Sequence, residues 1–86
     1  MSAFRRRVLA VVAAIPRGDV MSYRDVAAAA GSPGAYRAVG SVLKGNFDPA
    51  IPCHRVIRSD GKIGKYNRGA ERKEQLLRRE GAFPSA

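Results

Sequence analysis

Cys53 and His54, adjacent in "IPCHRV" (51–56), are the only cysteine and the only histidine of the chain. Together they could supply a thiolate nucleophile and its base. An unperturbed cysteine, with a pKa of about 8.5, is only a few per cent ionised at neutral pH, so a reactive Cys53 needs help. His54, as proton acceptor or as imidazolium, and the surrounding arginines could stabilise a negative sulfur. Neighbours on a strand point to opposite faces, so contact between the two requires a bend or a bridging water. Pro52 disfavours α geometry at Ile51 and marks a break in regular structure at this point. A histidine base also needs an orienting carboxylate. Of the seven acidic residues, Glu80 near the end of the chain is one candidate, and Asp60, in a turn, is less suited to burial. The competing reading makes Cys53 an inert core residue, as free cysteines commonly are. One Cys and one His fall short of the three or four N and S ligands of a zinc site.

The rest of the chain must hold such a pair in place. Its 86 residues make one domain, which buries only about 60–65% of its unfolded surface. The longest apolar run, Val8 to Ile15, is far below the roughly 20 residues that cross a bilayer, so no membrane partner is expected. The opening "MSAFRRRVLAVVAAIP" superficially resembles a secretory signal but reads better as a core helix. A lone cysteine excludes an internal disulfide and fits a reducing, cytoplasmic setting, nucleoid-associated in a prokaryote. Sixteen Lys and Arg against seven Asp and Glu give a formal charge of +9, which points to polyanions. A basic surface that serves solubility only is the alternative.

Phe4, Val8, Val11, Val12 and Ile15 share one helical face, which predicts an amphipathic helix from Ser2 to about Ile15, stopped by Pro16. "PRGDVMS" is a turn leading into a short extended piece. Ser22 is an N-cap with Asp25 in an imperfect capping box, for a helix ending at Gly31. Ser32 is expected to cap the next helix, with Pro33 at its first position, running to Gly45. These two helices have the dimensions of a helix-turn-helix, with Arg37 and Lys44 on the second. "HRVIRSDGKIGKY" reads as a β-hairpin or wing about Ser59-Asp60-Gly61, carrying Arg55, Arg58 and Lys62. "GAERKEQLLRREG" is a final helix with Leu76 and Leu77 inward and Gly81 as its stop. The fold class is therefore mainly α with a small β wing, a winged helix-turn-helix domain.

"IPCHRVI", preceded by "RAVGSVLKGN" and followed by "GKIGKYNRGAERKEQLLRREG", resembles the C-terminal domain of the O6-alkylguanine-DNA alkyltransferases, the methylated-DNA–protein-cysteine methyltransferases. The likeness runs from "IPRGDVMSYRDVA" to "RREG", without the family's N-terminal domain. It implies that Cys53 accepts an alkyl group from O6 of guanine, once and irreversibly. His54 would be its water-bridged base, Glu80 would orient His54, and Asn46 would hold the active-site turn. Tyr23 would help rotate the target nucleotide, and Arg37 would fill the vacated place in the base stack. Ala38, Gly40 and Ser41 would allow close approach to the minor groove of double-stranded DNA, with Arg55 also on the DNA side. Pro52, Tyr66 and Asn67 would line the guanine pocket. Neither a metal nor an organic cofactor is implied. The chain would act as a monomer, and a separate partner chain could replace the missing domain.

Two rival readings remain open in the sequence. One is a non-enzymatic alkyltransferase-like protein that flags alkylated guanine for another repair pathway, although those proteins commonly carry tryptophan in place of the cysteine. The other is a plain winged-helix DNA binder whose Cys53 is core.

Overall fold

A computed structural model describes residues 2–62 and 69–82, with nothing described of the Ala70 side chain. Tyr66, Asn67, the second arm of the expected hairpin and the tail "AFPSA" beyond Ala82 lie outside the described residues. Helix α1 spans Ala3–Ala13 and is capped by Ser2, whose hydroxyl accepts from Arg5 N at 3.1 Å. It stops short of Pro16, because a proline pushes the preceding residue out of α geometry. Val8, Val12 and Ile15 are buried, and Phe4 and Val11 are partly so, as the spacing predicts.

A two-residue strand, β1 (Met21–Ser22), leads into α2 (Tyr23–Ala29). The capping box is complete: Asp25 N donates to Ser22 Oγ at 3.0 Å, and Ser22 N donates to Asp25 Oδ2 at 3.4 Å. Helix α2 ends on Gly31, with φ +84°, as Ser32 N bonds Ala27 O at 2.9 Å and Gly31 N bonds Ala28 O at 3.0 Å. This pairing is a Schellman motif.

Helix α3 (Tyr36–Lys44) starts later than Ser32 and Pro33 suggest. Ser32 gives its N–H to the end of α2, and its carbonyl accepts Ala35 N at 2.9 Å across a turn containing Pro33 and Gly34. Proline is pre-set for the second position of such a turn, so that use wins over the start of a helix. Ala35 is the N-cap and makes no side-chain cap.

The β structure adds a pairing that the sequence does not announce. After a 3₁₀ turn at Cys53–Arg55, strand β2 (Val56–Ile57) pairs in parallel with β1, in register Met21↔Val56 and Ser22↔Ile57. Helices α2 and α3 form the crossover that a parallel pair requires. The Ser59-Asp60-Gly61 turn itself is present, with Gly61 N on Arg58 O at 3.0 Å and Arg58 N on Lys62 O at 2.9 Å. Helix α4 (Ala70–Arg79) buries Leu77 and leaves Leu76 half-buried. A second Schellman pair, Ala82 N to Leu77 O at 3.0 Å and Gly81 N to Arg78 O at 3.1 Å, closes it at Gly81. Val8, Val12, Val26, Val39, Leu43, Cys53 and Val56 belong to one core cluster, so the cysteine sits at the edge of the packing of α1, α2 and α3.

Candidate active site

The bend that the Cys53–His54 pair requires is built by Pro52. Its φ of −80° and ψ of 65° are those of an inverse γ-turn, and Cys53 N donates to Ile51 O at 2.8 Å. Arg55 N then bonds Pro52 O at 2.9 Å and winds Cys53–Arg55 into the 3₁₀ turn. At three residues per turn, consecutive side chains diverge by about 120° and not by the half-turn of a strand. Cys53 and His54 are accordingly both buried, at 8% and 9% exposure. The loop ahead of them is held by side chains: Asp48 N donates to Asn46 Oδ1 at 3.3 Å, and Ala50 N to Asp48 Oδ1 at 2.9 Å. Asn46 is itself buried.

Glu80, the cap of α4, reaches back to this turn. Its Oε2 lies 2.9 Å from His54 Nε2 and also accepts from Arg55 at 2.9 Å, while Oε1 accepts from Arg55 Nε at 2.9 Å. Hydrogen bonding from Arg55 is the largest influence on the carboxyl. Burial opposes it, His54 assists, and Glu80 is held down at about 2. A carboxylate only accepts, so the Nε2 it meets carries the proton, and Nδ1 of a neutral ring is left as the basic nitrogen.

Arg55, expected on the DNA side, is turned inward. Its guanidinium forks onto Glu80 and donates to Ile15 O at 2.8 Å, tying the end of α1 to the end of α4. The reason is geometric, since a planar fork matches a carboxylate that lies beside it. Arg37, Ala38 and Ser41 stand exposed on the outer face of α3, with Gly40 partly covered, opposite the buried Val39 and Leu43. Pro52 is half-buried at the turn. Tyr23 opens α2, and its phenol is pushed up by burial and then by charge on Cys53.

Sequence reading overlooked Lys73. It is fully buried, donates from Nζ to Val56 O at 2.6 Å, and lies 5.8 Å from the Tyr23 ring centre. Its spacing gave a signal: residues 73, 77 and 80 fall on one face of a helix, so Lys73 shares the inward face of Leu77 and Glu80. Among the described residues no group of three His, Cys, Asp or Glu could hold a metal, and no helix is long and apolar enough to cross a membrane.

A buried thiol on a tight turn that also carries a hydrogen-bonded His54–Glu80–Arg55 cluster, flanked by a basic helical hairpin, defines a cysteine-centred helical domain. The chain belongs to the family described as the DNA-binding domain of 6-O-methylguanine DNA methyltransferase, which matches residues 3–82. It is 51% identical over 79 residues to the methylated-DNA–protein-cysteine methyltransferase of Methanothermobacter thermautotrophicus, covering 91% of this chain and 44% of that protein. The human protein of that name is 47% identical over 81 residues, covering 92% of this chain and 39% of its own length. The chain thus spans less than half of these relatives. Among solved structures, Mycobacterium tuberculosis OGT in complex with DNA superposes with a TM-score of 0.88 at 41% identity, covering 93% of this chain and 49% of that one. Schizosaccharomyces pombe Atl1, in complex with DNA containing O6-carboxymethylguanine, gives 0.84 at 36% identity, covering 94% and 78%.

Proposed function

We propose that this domain is a winged helix-turn-helix that flips an O6-alkylguanine out of duplex DNA and takes its alkyl group onto Cys53. The observation that carries the reading is the Glu80–His54 contact at 2.9 Å, on the same turn as a retained cysteine. Cys53 loses its proton by way of His54, and Sγ attacks the alkyl carbon. The carbon–O6 bond breaks as the carbon–sulfur bond forms, and the guanine leaves with its electron pair and takes up a proton. Asn46 holds the turn, and Pro52 lines the guanine pocket. Restoration of guanine in an O6-methylguanine duplex, read by recovery of a restriction site, is the test. The restored amount should equal the protein added and go no further; no restoration would remove the proposal.

The outer face of α3 supports entry into a minor groove. Arg37 is long enough to occupy the space of a flipped nucleotide, whose extrusion costs a few kcal/mol. Arg37→Ala should therefore slow repair of duplex DNA at least about tenfold and leave reaction with the free alkylated base unchanged. Equal losses on both substrates would assign Arg37 to folding or to the chemistry.

Gly40 adds a second test. Beyond its own stretch of helix, a Cβ there would meet no atom of the described residues within 4 Å, so no described contact requires a glycine in the middle of α3. Gly40→Ala should raise stability by about 0.5–1 kcal/mol in thermal melts and weaken DNA binding in fluorescence anisotropy. Unchanged DNA affinity would show that DNA does not approach this position closely.

A second reading, a lesion binder that does not transfer the group, is favoured by one finding: the likeness to Atl1 covers 78% of that chain. It predicts tight binding to O6-alkylguanine DNA with no guanine restored.

A further inference from the structure

Arg24 and Tyr36 lie outside the Cys53 turn and its Glu80 partner, yet they face each other across the α2–α3 hairpin. The Arg24 guanidinium is 5.1 Å from the centre of the Tyr36 ring, within the range of a cation–π contact. Arg24 is the second residue of α2 and Tyr36 the first of α3, so each neighbours a residue with a proposed part in handling DNA, Tyr23 and Arg37. The ring is a fixed platform, because Tyr36 is half-buried and packs against the core cluster. The hairpin that brings the two together is closed by Ser32 N on Ala27 O and Ala35 N on Ser32 O, both at 2.9 Å.

Arg24 is exposed, and among the described residues its guanidinium makes no hydrogen bond or ion pair. Its acidic neighbour does not compete for it. Asp25 Oδ2 accepts from Ser22 N at 3.4 Å, inside the capping box of α2. Other exposed arginines are spent on carboxylates, Arg58 on Asp60 at 2.9 Å and Arg78 on Glu74 at 3.0 Å. Arg24 is held instead by an aromatic face, which restrains the long side chain and leaves its N–H donors unused. We propose that Arg24, steadied by the Tyr36 ring, is a clamp for one backbone phosphate of duplex DNA. A phosphodiester fits because its two anionic oxygens match the planar fork of a guanidinium. Such a contact fixes the position of the backbone without reading sequence, as a domain that must meet its lesion in any sequence requires. This inference rests on the DNA-binding part of the proposed function and not on alkyl transfer.

The test follows duplex affinity of the full chain against salt by fluorescence anisotropy, for wild type, Arg24→Gln, Tyr36→Leu and the double variant. Arg24→Gln should weaken binding about tenfold at low salt and reduce the salt slope by about one, the signature of one lost phosphate contact. Tyr36→Leu keeps apolar bulk against the core but removes the ring, and should weaken binding about threefold. Tyr36→Phe, which keeps the ring, should restore that loss. The double variant should bind no more weakly than Arg24→Gln alone, since the ring acts through the arginine. Duplexes carrying a single neutral methylphosphonate, moved one linkage at a time, locate the contact: at one linkage wild-type affinity should fall while Arg24→Gln is indifferent. An unchanged salt slope in Arg24→Gln, or losses that simply add in the double variant, would make the pair a staple between two helices and overturn the inference. Wild-type protein that fails to bind the duplex would remove the DNA-binding reading and the clamp with it. The expected coupling in a protein that transfers no methyl group from an O6-methylguanine duplex would uphold the clamp and remove the alkyl-transfer reading instead.

Discussion

Glu80→Ala is expected to destabilise the domain by about 3–5 kcal/mol at neutral pH, the typical loss when one partner of a buried ion pair is removed. The Glu80 side chain is only 9% exposed and serves His54 and both arms of the Arg55 fork. Its removal leaves a guanidinium, itself only 16% exposed, with the Ile15 carbonyl as its remaining contact among those described above. The pH dependence has a definite sign. Glu80 is depressed from about 4.5 to about 2 in the folded state, so its stabilisation is fully present above pH 4.5 and is lost as pH falls towards 2. That shift corresponds to about 2–3 kcal/mol once solvent screening is allowed for. Urea denaturation at pH 7 should separate wild type from Glu80→Ala widely, and at pH 2–3 the gap should narrow. Curves that stay equally far apart at all pH values would mean that packing, and not charge, holds Glu80.

The same cluster shows what could be read from the sequence. Ser22 and Asp25 formed the expected cap, and Gly31 and Gly81 ended the expected helices, because each choice is local: a short side chain finds a backbone donor three residues away, or a glycine accepts positive φ. Pro52 marked the break before Cys53, and Glu80 was named as a partner of His54. What escaped the sequence is set by distant pairings. Strand β2 pairs with β1 across the whole α2–α3 crossover, and nothing near Val56 announces a partner at Met21. Arg55 looked like one more surface cation until Glu80 and Ile15 were beside it. Lys73 carried no mark in the sequence beyond its spacing, since burying its ammonium makes sense only once Val56 O and the Tyr23 ring lie beside it.

Removing the sulfur should have the largest effect on the chemistry. Cys53→Ser is expected to abolish alkyl transfer completely, because a serine hydroxyl is far less readily ionised than a thiol and no second thiol exists in the chain. DNA affinity should stay within about twofold of wild type, since the proposed DNA contacts, made by the outer face of α3 and the basic surface, do not involve the sulfur. Gel-shift titration and guanine restoration on the same preparation check both halves. Transfer that survives in Cys53→Ser would place the acceptor elsewhere. A joint loss of binding and transfer would show that Cys53 acts mainly through the core cluster it shares with Val8, Val39 and Val56.

The central claim concerns one atom, Sγ of Cys53, and the intact mass of the protein reads it directly. After incubation with excess duplex carrying O6-methylguanine, the whole population should gain one methyl group in place of one hydrogen. Peptide mapping should confine it to the fragment containing Cys53. Longer incubation should add nothing, because a thioether is a poor leaving group and cannot return the sulfur to its thiolate. A protein that binds this DNA tightly and keeps its original mass would contradict the account and leave a lesion binder in its place.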